Sequence, residues 1–585
     1  MKKKFLRQNY SLDIRRKIFL TFLFLFCLLI IFRLFNLQVL EYKFYSALAS
    51  GQHQILENLF PERGEIFIHT SLPKEERENK PLLFPLATNK EYFVVYAEPF
   101  KIKEPEKIAK ILAPLLEKDE EEILKRLSKK DDPYEPLASK VEKEKVKEIE
   151  SLDVLGIGFK RKVFRYYPEN NIGGHLTGFL GYRGHQQIGQ YGIEGYFDRE
   201  LRGKKGYIRG EKDLLGRWII FGQKEFREAE DGADLILTID KNIEEFICQV
   251  IKEAVEKHQA EEGTIIVQNP KTGAILGMCS FPDFNPNEYF KVKEINLFNN
   301  PAIFKAYEPG SVFKAFTLAS ALEEGKITPE TTYIDKGFVK FGDHIIKNWD
   351  EKAHYKQTMI QVLEKSLNTG AIFVEQLLGK EKFREYIQKF GFGEKTGIEL
   401  ETEVKGNIES LQKRGEIYGA TASFGQGITA TPIQLITAFS ALANGGYLLR
   451  PYIVEEIVNS NGESIKTQPQ VIRQVISEKT SIIITGMLTS VVEKGHGQKA
   501  KIPGYFVAGK TGTAQVPKEG GKGYEKDLTI GTFIGYTPIS DTQFTIFVKI
   551  DKPKTTRFAE ATTAPVFAEV GEFLLKYFEI PPERK

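Results

Sequence analysis

Three short segments of the chain contain side chains that together could catalyse acyl transfer. Ser311 and Lys314 stand three positions apart, which places both side chains on one face of a helix. Ser366 and Asn368 flank a leucine, and Lys510 begins the sequence Lys-Thr-Gly-Thr. A serine beside a base is an activated nucleophile. The spacing therefore predicts a serine nucleophile, a lysine base, a polar bridge and a basic strand that can hold a carboxylate.

Neither the Ser-x-x-Lys nor the Lys-Thr-Gly pattern is specific alone, because both recur in this chain. The further copies begin at Ser71, Ser410, Lys271 and Lys395. Ser71 lies among prolines and charged residues typical of a solvated loop, and Ser410 lies between glycines in a loop or short helix. Lys271 lies between two apolar runs and predicts a hairpin turn. These three copies are interpreted as structural.

The sequence around Ser311 differs from these copies because it predicts the start of a helix. Residues 308–310 (Glu-Pro-Gly) end one segment, and residues 312–322 have the composition of a helix. Free N–H groups and the helix dipole would favour negative charge that develops at Ser311. Residues 505–514 predict a strand that contains Lys510, and its edge offers hydroxyl groups and a backbone N–H.

The order of these segments matches the pattern of penicillin-binding proteins and class A β-lactamases. The chain resembles a class B penicillin-binding protein, a peptidoglycan D,D-transpeptidase, over most of its length. Segments similar to this family are 63–64 (Arg-Gly), 192–195 (Gly-Ile-Glu-Gly), 201–203, 269–276, 307–311, 424–427 and 509–515. Two features depart from the family pattern. Pro301 stands where relatives usually have arginine, so any contact of that arginine is lost, and residues 71–80 look like an insertion.

The resemblance implies a role for each side chain of the site. Ser311 would attack the penultimate carbonyl of a stem peptide ending in D-Ala-D-Ala. Lys314 would accept the serine proton, with Lys510 supplying the positive charge that keeps Lys314 partly neutral. Ser366 would pass the proton towards the leaving amine. Asn368 would orient Lys314 and the substrate amide.

Substrate binding is assigned to the strand that begins at Lys510. Lys510, Thr511 and Thr513 would bind the terminal carboxylate, with Gly512 between the two threonines. The N–H groups of Ser311 and Thr513 would form the oxyanion hole. β-Lactams would acylate the same serine. No cofactor is expected, and no metal site is predicted because the eight histidines show no metal-ligand spacing.

The N-terminal region predicts a membrane anchor. Residues 18–32 are almost entirely apolar, and further apolar residues beyond Arg33 extend the span to residue 40. This gives roughly the 20 residues that span a bilayer, after a basic tail at residues 1–17. Positive residues before the span predict a cytoplasmic N-terminus and a catalytic part outside, periplasmic or extracytoplasmic. Cleavage after residues 47–49 (Ala-Leu-Ala) is disfavoured because this site lies well beyond the apolar run.

Length and composition limit the remaining possibilities. The 585 residues are too many for one core, and a net charge of +3 gives no reason to expect nucleic acid binding. Cys27 lies in the membrane segment. Cys248 and Cys279 fit apolar patterns and are interpreted as small packed residues. A disulfide between them stays open, because the exterior is oxidising but the spacing gives no support.

The pattern of apolar and charged residues changes near residue 231. Residues 41–230 include an amphipathic helix pair at 108–127, and the resemblance identifies this part as an elongated, mixed pedestal domain. Residues 231–580 begin with a strand (235–239), a helix and a hairpin, and end with two strands and a helix (565–578). This order predicts an α+β fold in which both ends contribute to one antiparallel sheet flanked by helices. The serine β-lactamase-like transpeptidase fold agrees with it.

Other functions share parts of this pattern. A β-lactamase would be smaller and would need a base that activates water. A D,D-carboxypeptidase differs only in using water as the acceptor, so the motifs do not separate it. A bifunctional penicillin-binding protein would need a glycosyltransferase domain in place of the pedestal, and a β-lactam sensor would need several membrane segments. A non-catalytic cell-wall scaffold would not need every catalytic side chain.

The segment before the Lys-Thr-Gly motif bears on the cellular role. Residues 502–510 look more like division-type enzymes than elongation-type enzymes. The resemblance therefore implies septal cell-wall synthesis, with a SEDS-family glycosyltransferase and other cell-wall synthesis membrane proteins as partners. The anchor and the pedestal would provide the contact surface.

Overall fold

The computed structural model describes residues 2–41, 54–70, 82–170, 172–184, 186–211, 225–518 and 523–584. The loop predicted around Ser71 and the insertion at 71–80 lie outside the described residues. The chain forms two compact units. The first contains Met1–Pro61 and Gly203–Asp231, and the second contains Glu62–Arg202 and Gly232–Lys585. The domain limits at 41–230 and 231–580 stay predictions.

The first part of the described chain contains seven α-helices and nine strands, besides the π-helix Asn36–Leu40 and the 3-10 helix Pro99–Lys101. The helices are α1 (Lys2–Phe35), α2 (Pro105–Leu116), α3 (Glu120–Leu127), α4 (Lys143–Glu150), α5 (Gly174–Thr177), α6 (Gly192–Tyr196) and α7 (Asp198–Arg202). The strands are β1 (Gln54–Leu59), β2 (Ile66–Thr70), β3 (Leu82–Ala97), β4 (Glu135–Val141), β5 (Ile157–Tyr166), β6 (Phe179–Arg183), β7 (Gln186–Gln190), β8 (Gly206–Glu211) and β9 (Glu225–Arg227).

The remaining described chain contains ten α-helices and fourteen strands, with short 3-10 turns. The helices are α8 (Lys241–His258), α9 (Pro301–Phe304), α10 (Lys314–Glu323), α11 (Met359–Glu364), α12 (Asn368–Leu378), α13 (Lys380–Lys389), α14 (Ile417–Ala422), α15 (Pro432–Ala443), α16 (Glu478–Lys494) and α17 (Ala559–Tyr577). The strands are β10 (Asp234–Asp240), β11 (Glu262–Gln268), β12 (Ile275–Phe281), β13 (Thr332–Asp335), β14 (Phe338–Phe341), β15 (His344–Lys347), β16 (Tyr355–Thr358), β17 (Tyr447–Leu449), β18 (Val454–Val458), β19 (Ser464–Lys466), β20 (Val471–Gln474), β21 (Ala508–Pro517), β22 (Tyr524–Thr537) and β23 (Phe544–Asp551).

Helix α1 is apolar over its second half. The segment Lys17–Leu40 has 24 residues and a mean hydropathy of 2.8, and its apolar side chains are exposed. Among the residues that the structure describes, this is the one helix long and apolar enough to cross a bilayer. The finding agrees with the span predicted at residues 18–40. In the same unit, β1, β8 and β9 form a three-stranded antiparallel sheet.

A seven-stranded sheet forms one layer of the second unit. Its order is β19-β18-β10-β2-β3-β4, and β5 also pairs with β3. Strand β10 confirms the strand predicted at residues 235–239. However, β10 pairs in parallel with β2 and antiparallel with β18, so it does not join the sheet that we predicted for it. The partner of a strand depends on register with distant segments, which local sequence does not encode.

Helices α2 and α3 cover strands β3 and β4 with their apolar faces. Leu112, Ile123 and Leu137 are fully buried in this small core, whereas the charged side chains of both helices face outwards. The helices end at Leu116 and Leu127, which confirms the amphipathic pair predicted at residues 108–127.

A buried ionic network joins segments that are far apart in the sequence. Glu194 Oε2 accepts a hydrogen bond from Arg63 Nε at 2.7 Å, and its Oε1 accepts from Arg165 Nε at 2.6 Å. Arg63 also reaches Asp198 Oδ1 at 2.9 Å, and Tyr167 donates to Glu194 at 3.3 Å. The Arg-Gly and Gly-Ile-Glu-Gly segments of the sequence therefore meet around one buried carboxylate.

The second sheet has five antiparallel strands in the order β12-β11-β23-β22-β21. Helices α8 and α17 pack against one face through apolar side chains such as Ile247, Val548 and Phe567. Helices α10, α15 and α16 belong to the larger core on the other side. Early and late strands share this sheet, which confirms the α+β prediction. Helix α17 begins six residues before the predicted start at 565 and includes Pro565.

Cys248 and Cys279 form a disulfide, with their Cα atoms 5.4 Å apart. Both residues pack in an apolar core, as predicted, and the disulfide that the sequence left open is formed. The bond joins α8 to β12, whose contact arises only when the helix packs on the sheet. A separation of 31 residues in sequence contains no sign of this proximity.

Candidate active site

Ser311 lies in a tight turn that leads directly into α10. Residues Gly310–Phe313 form a 3-10 turn, so the predicted helix begins with this tighter geometry. Gly310 adopts a φ of +60° and Gly425 a φ of +78°, and Gly310 N donates to Gly425 O at 3.0 Å. A Cβ atom at Gly425 would lie 2.2 Å from Gly310 O. Glycine is therefore required where this loop supports the turn.

The amine of Lys314 is buried beside the hydroxyl of Ser311. Its Nζ lies 3.0 Å from Ser311 Oγ, 2.6 Å from Ser366 O and 3.2 Å from Ser366 Oγ. Burial lowers the pKa of Lys314 well below its ordinary value, and the neighbouring charge of Lys510 lowers it further. A neutral amine at this distance can act as a base towards the serine hydroxyl.

Lys510 approaches the same site from strand β21. Its Nζ donates to Ser366 Oγ at 3.0 Å and to Thr511 O at 3.1 Å. Burial lowers the pKa of Lys510 to about 7. The hydroxyl of Ser366 therefore lies between two buried amines, those of Lys314 and Lys510, in the position of a proton relay.

Ser366 has a backbone conformation that is uncommon for a residue with a side chain. Its φ is +55°, just after α11 and before Leu367, whose N–H bonds to Val362 O at 2.9 Å. A left-handed serine costs about 1–3 kcal/mol, so this conformation persists only because the surrounding structure enforces it. In this conformation, the carbonyl oxygen and the hydroxyl group of Ser366 both accept hydrogen bonds from Lys314 Nζ.

Asn368 occupies the first position of α12. Its Nδ2 donates to Lys347 O at 2.9 Å, whereas the hydrogen bonds of Lys314 go to Ser311 and Ser366. The structure thus brings four of the predicted side chains into direct contact and holds Asn368 beside them, bound to β15. The described hydrogen bonds of Lys314 go to Ser311 and Ser366, and the role predicted for Asn368 in orienting Lys314 stays a prediction.

A buried carboxylate fixes the segment that contains Ser366 and Asn368. Asp335 accepts hydrogen bonds from Thr369 Oγ1 and Gly337 N at 2.8 Å, and from Asn348 Nδ2 and His354 N at 2.9 Å. Asn348 and Thr369 are themselves buried. The sequence analysis missed these residues, because their only signal is proximity in the fold.

Strand β21 is the edge strand of the five-stranded sheet. It borders the turn Gly310–Phe313, which contains Ser311 and is called the nucleophile turn below. Thr511 and Gly512 are buried and Thr513 is exposed. A Cβ atom at Gly512 would lie 2.9 Å from Pro309 O, so glycine allows the strand and the turn to touch. Thr513 Oγ1 accepts from Ala559 N at 3.2 Å, which ties the strand to the start of α17.

Pro301 fits its position by starting a helix. It occupies the first turn of α9, where a proline loses no hydrogen bond, and Asn300 Oδ1 caps the helix by accepting from Ala302 N at 3.0 Å. The described hydrogen bonds of the candidate catalytic side chains do not involve this helix.

The other described copies of the Ser-x-x-Lys and Lys-Thr-Gly patterns lie in turns and loops. Ser410 lies in the 3-10 turn Glu409–Gln412, and Lys271 lies in the turn between β11 and β12, as predicted. Thr396, after Lys395, donates to Glu403 at 2.6 Å in a separate loop.

One group of possible metal ligands occurs among the described residues. Glu244 and Cys248 of α8 lie together with Cys279 of β12. Both sulfur atoms are engaged in the disulfide, so no thiolate is present to bind a cation.

Comparisons with known proteins agree with this geometry. Residues 263–572 match the penicillin-binding protein transpeptidase domain, and residues 83–237 match the penicillin-binding protein dimerisation domain. Stage V sporulation protein D of Bacillus subtilis (strain 168) is 36% identical over 530 residues, covering 90% of this chain and 79% of the relative. The peptidoglycan D,D-transpeptidase FtsI homolog of Mesostigma viride is 30% identical over 583 residues, covering 95% and 94%.

Solved structures show the same fold. The crystal structure of penicillin-binding protein 2X from Streptococcus thermophilus superposes with a TM-score of 0.73 at 22% identity, covering 89% of this chain and 80% of that chain. The structure of a peptidoglycan synthetase from Bifidobacterium adolescentis gives a TM-score of 0.71 at 23% identity, covering 91% and 98%.

Proposed function

The chain belongs to the class B penicillin-binding proteins, a family of peptidoglycan D,D-transpeptidases, and on this premise we propose that it cross-links stem peptides through an acyl-enzyme on Ser311. The observation that carries the proposal is the buried amine of Lys314, 3.0 Å from Ser311 Oγ. Because its pKa is lowered, this amine can take the proton that the hydroxyl loses on attack.

In the acylation step, Ser311 Oγ attacks the carbonyl carbon of the penultimate D-Ala, and the proton moves to Lys314 Nζ. The N–H groups of Ser311 and Thr513 stabilise the oxyanion. Ser366 then relays a proton to the nitrogen of the leaving D-Ala. The C–N bond breaks, D-Ala departs as an amine, and the acyl group remains on Ser311 as an ester. The relay is supported by the 3.2 Å and 3.0 Å contacts of Ser366 Oγ with the two lysines.

Substrate binding is assigned to the edge strand β21. Lys510, Thr511 and Thr513 bind the terminal carboxylate, and Gly512 keeps the strand close to Ser311. Asn368 is assigned to the substrate amide, because it lies two positions after Ser366 at the start of α12.

The ester is resolved by an amine from a neighbouring stem peptide, which attacks the acyl carbon and frees Ser311. Transfer to water would instead give a D,D-carboxypeptidase. The name of the Mesostigma viride relative supports transfer to an amine.

Location and partners form the second part of the proposal. Helix α1 anchors the protein in the cytoplasmic membrane, and the basic residues before the span support an N-terminus inside and a catalytic part outside. Relatives named FtsI support a septal role over elongation. On this basis the anchor and pedestal would contact a SEDS-family glycosyltransferase and other cell-wall membrane proteins.

The test is covalent labelling of the full-length protein in detergent with a fluorescent penicillin, beside the Ser311→Ala variant. We expect a labelled band for the wild type and none for the variant, with both proteins showing the same melting temperature. The same preparation, given a D-Ala-D-Ala stem peptide and an amine acceptor, should yield the cross-linked dimer and free D-Ala. A folded wild type that does not label would refute Ser311 as a penicillin-sensitive nucleophile, and hydrolysis without dimer would indicate a carboxypeptidase.

A further inference from the structure

The carboxylate of Glu308, three residues before Ser311, binds two separate segments at once. Glu308 Oε1 accepts a hydrogen bond from Gly427 N at 3.0 Å. Its other oxygen, Oε2, accepts from the hydroxyl of Tyr524 at 3.0 Å. Glu308 is half-buried, so both bonds form in partly desolvated surroundings.

The first of these segments is the loop of residues 424–430, which supports the nucleophile turn. Besides the Gly427 contact, Tyr307 N donates to Ala430 O and Gly310 N donates to Gly425 O, each at 3.0 Å. The turn is therefore attached to this loop on both sides of Glu308.

The second segment is the far end of the hairpin formed by β21 and β22. Tyr524 is the first residue of β22 and pairs with Pro517, the last residue of β21. Lys510 and Thr513 lie further along the same hairpin, opposite Ile534 and Gly531. The Tyr524 contact thus fixes the strand that carries the proposed carboxylate site at a second point, beyond the close approach of Gly512 to the turn.

The chemistry of the pair suits a permanent hydrogen bond. Burial raises the pKa of Tyr524, and the charge of Glu308 raises it further, so the phenol keeps its proton and donates. Burial also raises the pKa of Glu308, although the bonds from Gly427 and Tyr524 oppose this effect. A phenol bonded to a carboxylate is a charge-assisted hydrogen bond, which is stronger than a neutral one.

We propose that Glu308 and Tyr524 form a clamp that positions Ser311 against strand β21 for acylation. The inference rests on the proposed function, because it takes Ser311 as the acylated residue. Both residues act through the turn and the strand, so they are positioning residues. The clamp keeps the distance between the nucleophile and the carboxylate site constant while the exposed face of β21 binds a peptide.

The experiment measures the second-order rate of acylation by a fluorescent penicillin and the melting temperature of full-length variants in detergent. Tyr524→Phe removes only the hydroxyl, and Glu308→Gln removes the charge at constant size. Tyr386→Phe is the matched control, because the Tyr386 hydroxyl donates to Glu324 at 2.7 Å in the same unit. Loss of a hydrogen bond to a charged group predicts an acylation rate about tenfold lower for Tyr524→Phe, and an unchanged rate for Tyr386→Phe.

The double variant Glu308→Gln/Tyr524→Phe decides whether the two residues act together. If they form one clamp, the loss of rate in the double variant is smaller than the product of the two single losses, since both changes weaken the same hydrogen bond. Independent losses that multiply would overturn the proposal, and so would a Tyr524→Phe rate equal to that of the control.

A second measurement does not depend on labelling. Amide hydrogen exchange of the wild type and Tyr524→Phe should show faster exchange in the Tyr524 variant over residues 424–430 and 508–517, and unchanged exchange there in Tyr386→Phe. Unchanged exchange in both variants would overturn the clamp even where Ser311 labels. Conversely, a wild type that fails to label while the exchange difference is present would reject the proposed function and leave the clamp as a structural contact.

Discussion

At the scale of single residues, the site depends on two buried amines that share one environment. Lys314 and Lys510 both contact Ser366 Oγ, and neither is exposed to water. Two ammonium groups this close repel each other, so the pair favours a state with fewer than two charges. That state is what a serine nucleophile needs, because one amine must be neutral to accept its proton.

The pH dependence of acylation should reveal this coupling. Lys314 acts as a base only when it is neutral, so the rate should rise as the pH increases through its pKa. Replacing Lys510 by methionine removes the neighbouring positive charge, which raises the pKa of Lys314 and moves this rise to higher pH. The measurement is the penicillin acylation rate of Lys510→Met from pH 5 to pH 9.

The control for this experiment is Lys271→Met, which alters the other Lys-Thr-Gly copy in the exposed turn between β11 and β12. Its profile should overlay that of the wild type. A Lys510→Met profile with the wild-type midpoint and only a lower plateau would limit Lys510 to carboxylate binding.

At the scale of elements, two contacts hold the five-stranded sheet at opposite edges. Strand β21 touches the nucleophile turn through Gly512, whereas β12 is joined to α8 by the disulfide Cys248–Cys279. Three strands separate the two edges. Changes at the disulfide should therefore affect stability without reaching the site.

The Cys248→Ala/Cys279→Ala variant tests this separation. A disulfide that closes a loop of about 30 residues stabilises a fold by about 3–4 kcal/mol, so we expect a lower melting temperature. The acylation rate at 25 °C should stay at the wild-type value. A reducing agent should lower the melting temperature of the wild type and leave that of the variant unchanged. Loss of labelling in the folded variant would contradict the separation.

At the scale of the whole molecule, the chain depends on buried contacts between segments that are 29 to 131 residues apart in the sequence. The buried carboxylate of Glu194 joins Arg63 to Arg165, and Asp335 joins β13 to the start of α12. A buried charged group needs its partners, because leaving one buried charge unpaired costs more free energy than the pair contributes to stability.

The Glu194→Gln variant tests the ionic network. It leaves the buried guanidinium of Arg165 without its carboxylate partner, and Arg63 with Asp198 as its counter-charge, so the free energy of unfolding should fall by about 3–5 kcal/mol. Glu572→Gln is the control, because its ion pair with Lys576 is exposed and should contribute at most about 1 kcal/mol. Thermal unfolding followed by circular dichroism measures both.

The pH dependence of unfolding gives an independent check. Burial alone would raise the pKa of Glu194, but Arg165 and Arg63 outweigh this effect and lower it. The stabilisation is therefore present above the pKa of the unfolded state and is lost as the pH falls through the lower folded pKa. The wild type should lose stability in acid by this route, and Glu194→Gln should not. If the wild type and Glu194→Gln lost stability equally as the pH decreased, this contribution of Glu194 would be refuted.

Local sequence determined a large part of this protein. The apolar helix α1, helix α8, the β11–β12 hairpin and the helix pair α2–α3 follow from hydrophobic period and turn residues, which act over a few positions. The spacing of Ser311 and Lys314 likewise fixes their contact, because one helical turn brings them together. The order of motifs then indicated acyl transfer by a penicillin-binding protein.

Tertiary structure alone decided the remaining features. Four of these features join residues that become neighbours only when the chain has folded. They are the pairing of β10 with β2, the Cys248–Cys279 bond, the hydrogen bonds of Asp335 and the contact of Glu308 with Tyr524. These contacts depend on register and packing between distant segments, and the residues show no local pattern that identifies their partners. The sequence thus supplied the reacting groups, and the fold supplied the burial and positions that make them reactive.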